Sequence, residues 1–193
     1  MKRIAVFCGS SEGSDPKIVK LAYTTGTVLG TKGIGLVYGG AKIGLMGKVA
    51  DGTLDKNGEV IGVIPHFLKR KEVFHPKITE LITVDTMHER KLKMHELSDG
   101  FIALPGGYGT LEELFEIITW GQLGLNQKPM GILNPNGFFE PMLQLLDNMV
   151  LKGFLKQENR DMLLVDNSIE GLLRQMQQYQ PLAIPKWIEK EQT

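Results

Sequence analysis

Three glycine-rich segments carry most of the chemical information in this chain. They are Cys8-Gly9-Ser10-Ser11-Glu12-Gly13, Tyr38-Gly39-Gly40-Ala41-Lys42-Ile43-Gly44-Leu45-Met46-Gly47 and Pro105-Gly106-Gly107-Tyr108-Gly109-Thr110-Leu111-Glu112-Glu113. A glycine-rich turn that feeds a helix presents backbone N–H groups with no side chain in the way, and the helix dipole adds to their pull on an anion. The third segment is the strongest candidate, because the Thr110 hydroxyl can join its backbone donors; Gly9, Ser10 and Ser11 offer more donors from the first. Glycine also serves plain tight turns, but three such loops together favour a phosphate or nucleotide ligand. Neither standard nucleotide fingerprint fits. Gly107-Tyr108-Gly109-Thr110-Leu111-Glu112 puts Glu where a dinucleotide loop needs its third glycine, and Gly47-Lys48 is followed by Val49, not by Ser or Thr.

Carboxylates follow the third loop at once, as Glu112, Glu113 and Glu116. Thr110-Leu111-Glu112-Glu113 fits a capping box, with Thr110 as N-cap and Glu113 reaching back to it. An acid beside a phosphate cradle also fits work on another part of the ligand, and spacing leaves both readings open. Leu111, Leu114, Phe115 and Ile118 form an apolar stripe that leaves Glu113, Ile117 and Trp120 pointing away from it. Upstream, Thr86-Met87-His88-Glu89 is a second capping box. Arg90 and Lys91 then stand in the opening turns of a helix, where cations oppose the dipole. Either they form a solvated pair, or they meet an anion.

The remaining reactive side chains point to structure. The four histidines, His66, His75, His88 and His95, match no metal-ligand spacing. Cys8 closes an apolar strand without a cysteine partner, which indicates inert burial. Met and Leu in the segment 142–149 read as a core stripe.

To position these residues the chain alternates short apolar runs with longer amphipathic ones. Strands are expected at Ile4–Cys8, Gly35–Tyr38, Val60–Ile64, Glu80–Val84, Phe101–Leu104, Met130–Leu133 and Leu163–Val165. Helices are expected at Pro16–Thr31, with Asp15 as its cap, and at Leu45–Lys56, Met87–Leu97, Leu111–Leu123, Phe138–Lys152 and Ile169–Gln177. Near-continuous apolar strands separated by helices predict an α/β fold, a Rossmann-like, doubly wound and mostly parallel sheet with helices on both faces. Ligands of such sheets bind beyond the carboxyl ends of the strands, where the glycine loops lie.

The 193 residues suit one domain, residues 1–193, with the stretch from 181 as a peripheral tail. Hydrophobic residues make up 42% and charged residues 23%, enough to bury a core. Lys plus Arg and Asp plus Glu number 22 each, a balance that argues against a nucleic-acid grip through phosphates. No stretch approaches the roughly 20 apolar residues of a membrane span. With one cysteine and no signal-peptide pattern, a cytoplasmic protein is expected.

The segment Pro105–Glu113, with Met87-His88-Glu89-Arg90-Lys91 upstream, resembles the LOG (Lonely Guy) family, the cytokinin riboside 5′-monophosphate phosphoribohydrolases often labelled lysine-decarboxylase-like. The likeness runs from Cys8-Gly9-Ser10-Ser11 through Tyr38-Gly39-Gly40 and Gly44-Leu45-Met46-Gly47 to about Asn134. It implies a Rossmann-like homodimer that hydrolyses the N-glycosidic bond of adenosine 5′-monophosphates, preferably N6-prenylated ones, with no metal or organic cofactor. By motif position it implies that Arg90 and Glu113 are the catalytic pair. It likewise implies that Glu72, Lys91, Thr119 and Gly107, Tyr108, Gly109, Thr110, Leu111 and Glu112 contact substrate. Three rivals are a nucleotide or cofactor carrier without hydrolysis, an amino-acid decarboxylase, and an interaction protein. The decarboxylase reading lacks a lysine in suitable surroundings, and the interaction reading leaves the three glycine loops without a purpose.

Overall fold

The computed structural model describes residues 1–69, 74–135 and 137–182. Seven strands form one sheet: β1 (Arg3–Phe7), β2 (Gly35–Tyr38), β3 (Val60–Pro65), β4 (Glu80–Val84), β5 (Phe101–Ala103), β6 (Met130–Leu133) and β7 (Leu163–Asp166). Their order is β4-β3-β2-β1-β5-β6-β7, and every pairing is parallel. Five strands are apolar runs covered on both faces, as expected of a buried parallel sheet. The edge strand β4 departs from this: Glu80 is exposed and Leu81–Val84 only half-buried, because one neighbour is missing.

The helices are α1 (Pro16–Thr31), α2 (Gly44–Leu54), α3 (His66–Lys69), α4 (Met87–Leu97), α5 (Tyr108–Gln122), α6 (Glu140–Leu151), α7 (Gln157–Asp161) and α8 (Ile169–Gln178). Asp15 caps α1 as expected, its carboxylate accepting the Lys17 N–H at 2.8 Å, with Pro16 in the first turn. Single-turn α3 and α7 are additions to the expected set, too short for any apolar period to announce them. One apolar cluster packs α1, α2 and α8 against the sheet, with Leu29, Leu36, Val49 and Leu172 at its centre. The other packs α4, α5 and α6 against the opposite face around Phe7, Met94, Leu114 and Phe139.

Ile117 belongs to this second cluster, at 2% exposure. That corrects the expected helix face: the buried seam of α5 is Thr110, Leu114, Ile117 and Gly121, a line turned from the stripe read off the sequence. Leu182 packs against the same cluster; positions 183–193 of the expected tail lie outside the described residues.

Helices α1 and α2 meet backbone to backbone. A Cβ on Gly26 would lie 2.0 Å from the Val49 carbonyl oxygen, and one on Gly52 would lie 2.2 Å from that of Tyr23. Main chain cannot rotate aside as a side chain can. Gly26→Ala is therefore expected to destabilise by about 1–3 kcal/mol, read as a lower urea midpoint; an unchanged midpoint would contradict this crossing. The contact matters for the site because it fixes α2, which carries Met46 toward the ligand edge.

Candidate active site

The chain reverses its direction of winding between β1 and β5, which are neighbours in the sheet although three strands separate them in sequence. Such a switch point opens a crevice beyond the strand ends. A cleft of about 300 Å³ lies there, lined by Cys8, Gly9, Ser10, Met46, Arg90, Gly107, Tyr108, Gly109, Thr110 and Glu113. That volume is at the lower end for small-molecule sites.

Backbone hydrogen bonds fix the loops to one another. The Leu104 N–H donates to the Phe7 oxygen at 2.9 Å, the Gly9 N–H to the Pro105 oxygen at 3.1 Å and the Leu45 N–H to the Gly9 oxygen at 3.0 Å. Gly106 stands at this junction. A Cβ there would lie 2.1 Å from the Thr110 hydroxyl oxygen and 2.8 Å from the Gly9 nitrogen. The first and third glycine segments thus share one wall, and the second supports it from α2.

The expected capping box at Thr110 is not what the structure contains. Helix α5 begins three residues earlier, with Gly107 as an N-cap that has no side chain to cap with. Thr110 falls inside the first turn and is 4% exposed. Glu113 turns toward Arg90 rather than back along the helix. The N–H groups of Tyr108, Gly109 and Thr110 are therefore uncapped at an exposed, positive helix end. A Cβ at Gly107 or Gly109 would meet nothing within 4 Å, and neither has a positive φ. Fold and crowding alike leave these two positions free to hold a larger residue; an incoming ligand would be the group that requires glycine.

Glu113 approaches Arg90 at 3.7 Å between Oε1 and the Nη1 nitrogen, with both side chains 11% exposed. This is an ion pair without a hydrogen bond. Burial pushes the Glu113 carboxyl pKa up, the Arg90 charge pulls it back, and the net direction is upward. Arg90 is anchored elsewhere, its Nε donating to the Val63 carbonyl at 3.1 Å. The second capping box works with a small shift: the Thr86 hydroxyl accepts the Glu89 N–H at 3.0 Å, while Glu89 accepts the N–H of Asp85, one residue before the cap.

Several of the other implied substrate contacts lie off the cleft. The Lys91 ammonium bridges Glu112 at 2.5 Å and Glu116 at 2.9 Å. Leu111 and Glu112 are not among the lining residues, and the exposed Thr119 donates its hydroxyl to the Phe115 carbonyl at 2.7 Å. Glu72 lies outside the described residues. Met46 is a lining residue that the sequence did not single out. Cys8 is buried as expected, yet it forms part of the cleft floor; burial and the nearby Glu113 raise its thiol pKa far above the ordinary range, against a thiolate nucleophile. His75 is 3% exposed and its ring nitrogen lies 3.0 Å from Asp51, while His95 stacks on Phe101 at 5.5 Å. Among the described residues no group of three acids, histidines or cysteines is placed to hold a metal.

Residues 46–176 match a family profile described as "Possible lysine decarboxylase". The cytokinin riboside 5′-monophosphate phosphoribohydrolase LOG of Oryza sativa subsp. japonica is 44% identical over 180 residues, covering 93% of this chain and 74% of the relative. A cytokinin riboside 5′-monophosphate phosphoribohydrolase of Arabidopsis thaliana is likewise 44% identical over 180 residues, covering 93% and 83%. The chain belongs to the LOG family.

The same LOG fold recurs in proteins with other tasks. The molybdenum cofactor carrier protein of Chlamydomonas reinhardtii superposes with a TM-score of 0.68 at 18% identity, covering 91% of this chain and 96% of that one. The molybdenum cofactor binding protein of Rippkaea orientalis gives 0.68 at 23%, covering 92% and 97%. At such identities the match shows fold alone. The decarboxylase wording of the profile finds no support in this LOG-family cleft, since no lysine lines it among the described residues.

Proposed function

We propose that this LOG-family chain hydrolyses the N-glycosidic bond of adenosine 5′-monophosphates, N6-substituted ones included, to free base and ribose 5-phosphate. The observation that carries the reading is the meeting, in one cleft, of uncapped helix N–H groups with a buried carboxylate held beside an arginine. The N–H groups of Tyr108, Gly109 and Thr110 hold the 5′-phosphate, and Ser10 adds a hydroxyl from the facing loop. Anchoring the phosphate sets the ribose against Glu113, so that binding energy remote from the bond orients the reacting centre.

The C1′–N9 bond breaks through an oxocarbenium-like sugar, as in glycoside hydrolysis. Ionised Glu113 stabilises that positive charge and takes a proton from the water that bonds to C1′, while the departing base takes a proton from solvent. Glu113 is the one carboxyl group lining the cleft among the described residues, so the two-carboxylate scheme of glycosidases is not assembled there from one chain. Arg90 offsets part of the cost of burying the Glu113 charge.

The reading extends to a homodimer acting in the cytoplasm. The half-exposed Met87 and Leu92 leave apolar surface on α4 for a second copy, and the single unpaired cysteine supports a reducing compartment. A neutral formal charge and the absence, among the described residues, of any helix long and apolar enough to cross a membrane favour a free nucleotide over nucleic acid or lipid.

Incubation with a panel of nucleoside 5′-monophosphates, followed by chromatography of the products, tests the activity. Free adenine from AMP supports it. Tight nucleotide binding with no base released would favour the carrier function of the structural neighbours instead. The phosphate cradle has its own test. Gly109→Ala adds a better helix former in open space, so the melting temperature is expected to hold or rise by the equivalent of up to about 1 kcal/mol. KM for AMP is expected to rise several-fold. An unchanged KM would remove Gly109 from the phosphate site.

A further inference from the structure

Arg90 reaches the cleft by a narrow route. It starts on α4, donates from Nε to the carbonyl of Val63 on β3 at 3.1 Å, and presents its Nη1 to Glu113 at 3.7 Å. Its other terminal nitrogen, Nη2, lies against Gly39 at the end of β2. A Cβ built on Gly39 would stand 2.3 Å from that nitrogen and 2.8 Å from the sulfur of Met46. The backbone there does not ask for glycine, since Gly39 is not among the positive-φ residues, whereas its neighbour Gly40 is, at φ 83°. Backbone crowding does not ask for it either: the three nearest atoms to such a Cβ are all at the far ends of the Arg90 and Met46 side chains.

We propose that Gly39 is a positioning residue for the reaction: by lacking a side chain it leaves the slot, walled by Met46, in which the Arg90 guanidinium is held against Glu113. This rests on the proposed role of Arg90 in hydrolysis. The guanidinium is placed by the Val63 carbonyl, by the Met87 sulfur 3.9 Å from Nη1 and by the bare Gly39 backbone, and Nη1 also meets Glu113. A single methyl group at position 39 has no other way to be accommodated than to displace Nη2 and the Met46 sulfur. Both are ends of flexible chains, so the fold absorbs the change cheaply. The site does not, since a displacement on the order of 1 Å at a catalytic group can cost about a hundredfold in rate. Position 39 thereby separates activity from stability in a way that an ordinary packing glycine such as Gly26 does not.

The experiment is a double-mutant cycle between Gly39→Ala and Arg90→Lys, read as kcat, KM for AMP and melting temperature. A lysine has no planar head to enter the slot. Gly39→Ala alone is expected to lower kcat by roughly 10- to 100-fold, with KM within about threefold and the melting temperature within a few degrees of the parent. In the Arg90→Lys background the same change is expected to cost less than about twofold more, because no guanidinium is left to displace. Full kcat in Gly39→Ala overturns the proposal. So does an equal cost in both backgrounds, and so does loss of folding, which would make Gly39 a packing residue. Arg90→Lys with unaltered kinetics would instead reject the role of Arg90 itself, a different failure from that of the slot.

Discussion

Replacing Glu113 by glutamine is expected to lower kcat for AMP hydrolysis on the order of 10²–10⁴-fold, while leaving the melting temperature unchanged or higher. The two halves of this result have one cause. Burial holds the Glu113 carboxyl above its ordinary pKa of 4.5, with Arg90 opposing. The folded protein therefore binds that proton more tightly than the unfolded chain does. The stability that the proton contributes is fully present below the unfolded pKa and is lost as pH rises through the raised folded value. The ionised carboxylate is a burden on the fold, which the neutral amide relieves. A glutamate that merely capped α5 would behave in the opposite way, keeping turnover and losing stability when replaced. The same shift sets the pH profile: kcat should fall on the acid side around a pKa above 4.5, and that limb should vanish in Glu113→Gln. An acid limb surviving in the variant would assign it to another group.

Arg90→Ala is expected to lower turnover on the order of 10²-fold or more at neutral pH, and its pH dependence tells which work the arginine does. Without the neighbouring cation, burial acts on Glu113 with less opposition, that of Lys91 remaining, and its pKa climbs further. If Arg90 acts through Glu113, the acid limb moves to higher pH and part of the lost kcat returns in alkaline buffer. If it grips the nucleotide, KM rises and alkaline buffer restores nothing. The 3.7 Å separation, too long for a hydrogen bond, leaves guanidinium donors and carboxylate oxygens available to a ligand. Unaltered kinetics at every pH would exclude Arg90 from the site.

Much of this was legible in the sequence, and the omissions have physical reasons. Runs such as Ile4–Phe7 and Val60–Ile64 have no polar alternation, so they had to be covered on both faces, and the parallel sheet followed. The loops at its carboxyl edge then had to converge. The sequence puts the start of α5 too late because Thr110-Leu111-Glu112-Glu113 carries a capping signature, whereas the true cap, Gly107, bears no side chain and so leaves no signal. The core face of α5 differs from the stripe in the sequence because Leu111, Leu114, Phe115, Ile117 and Ile118 cover a broad apolar arc, within which only tertiary packing selects Leu114 and Ile117. Met46 reads as one more apolar residue opening a helix; its place in the cleft comes from the crossing of α1 and α2. The fit of Arg90 beside Gly39 joins distant segments, and no local pattern announces it. Lys91 shows the reverse: a cation in an opening turn does meet anions, and they are Glu112 and Glu116 from within the protein.

The most direct test of the account is a crystal structure of the Glu113→Gln variant with AMP bound. The 5′-phosphate should accept hydrogen bonds from the backbone N–H groups of Tyr108, Gly109 and Thr110, with the side chain at position 113 beside C1′ of the ribose. A phosphate bound elsewhere, or a side chain at 113 turned away from the sugar, would contradict it.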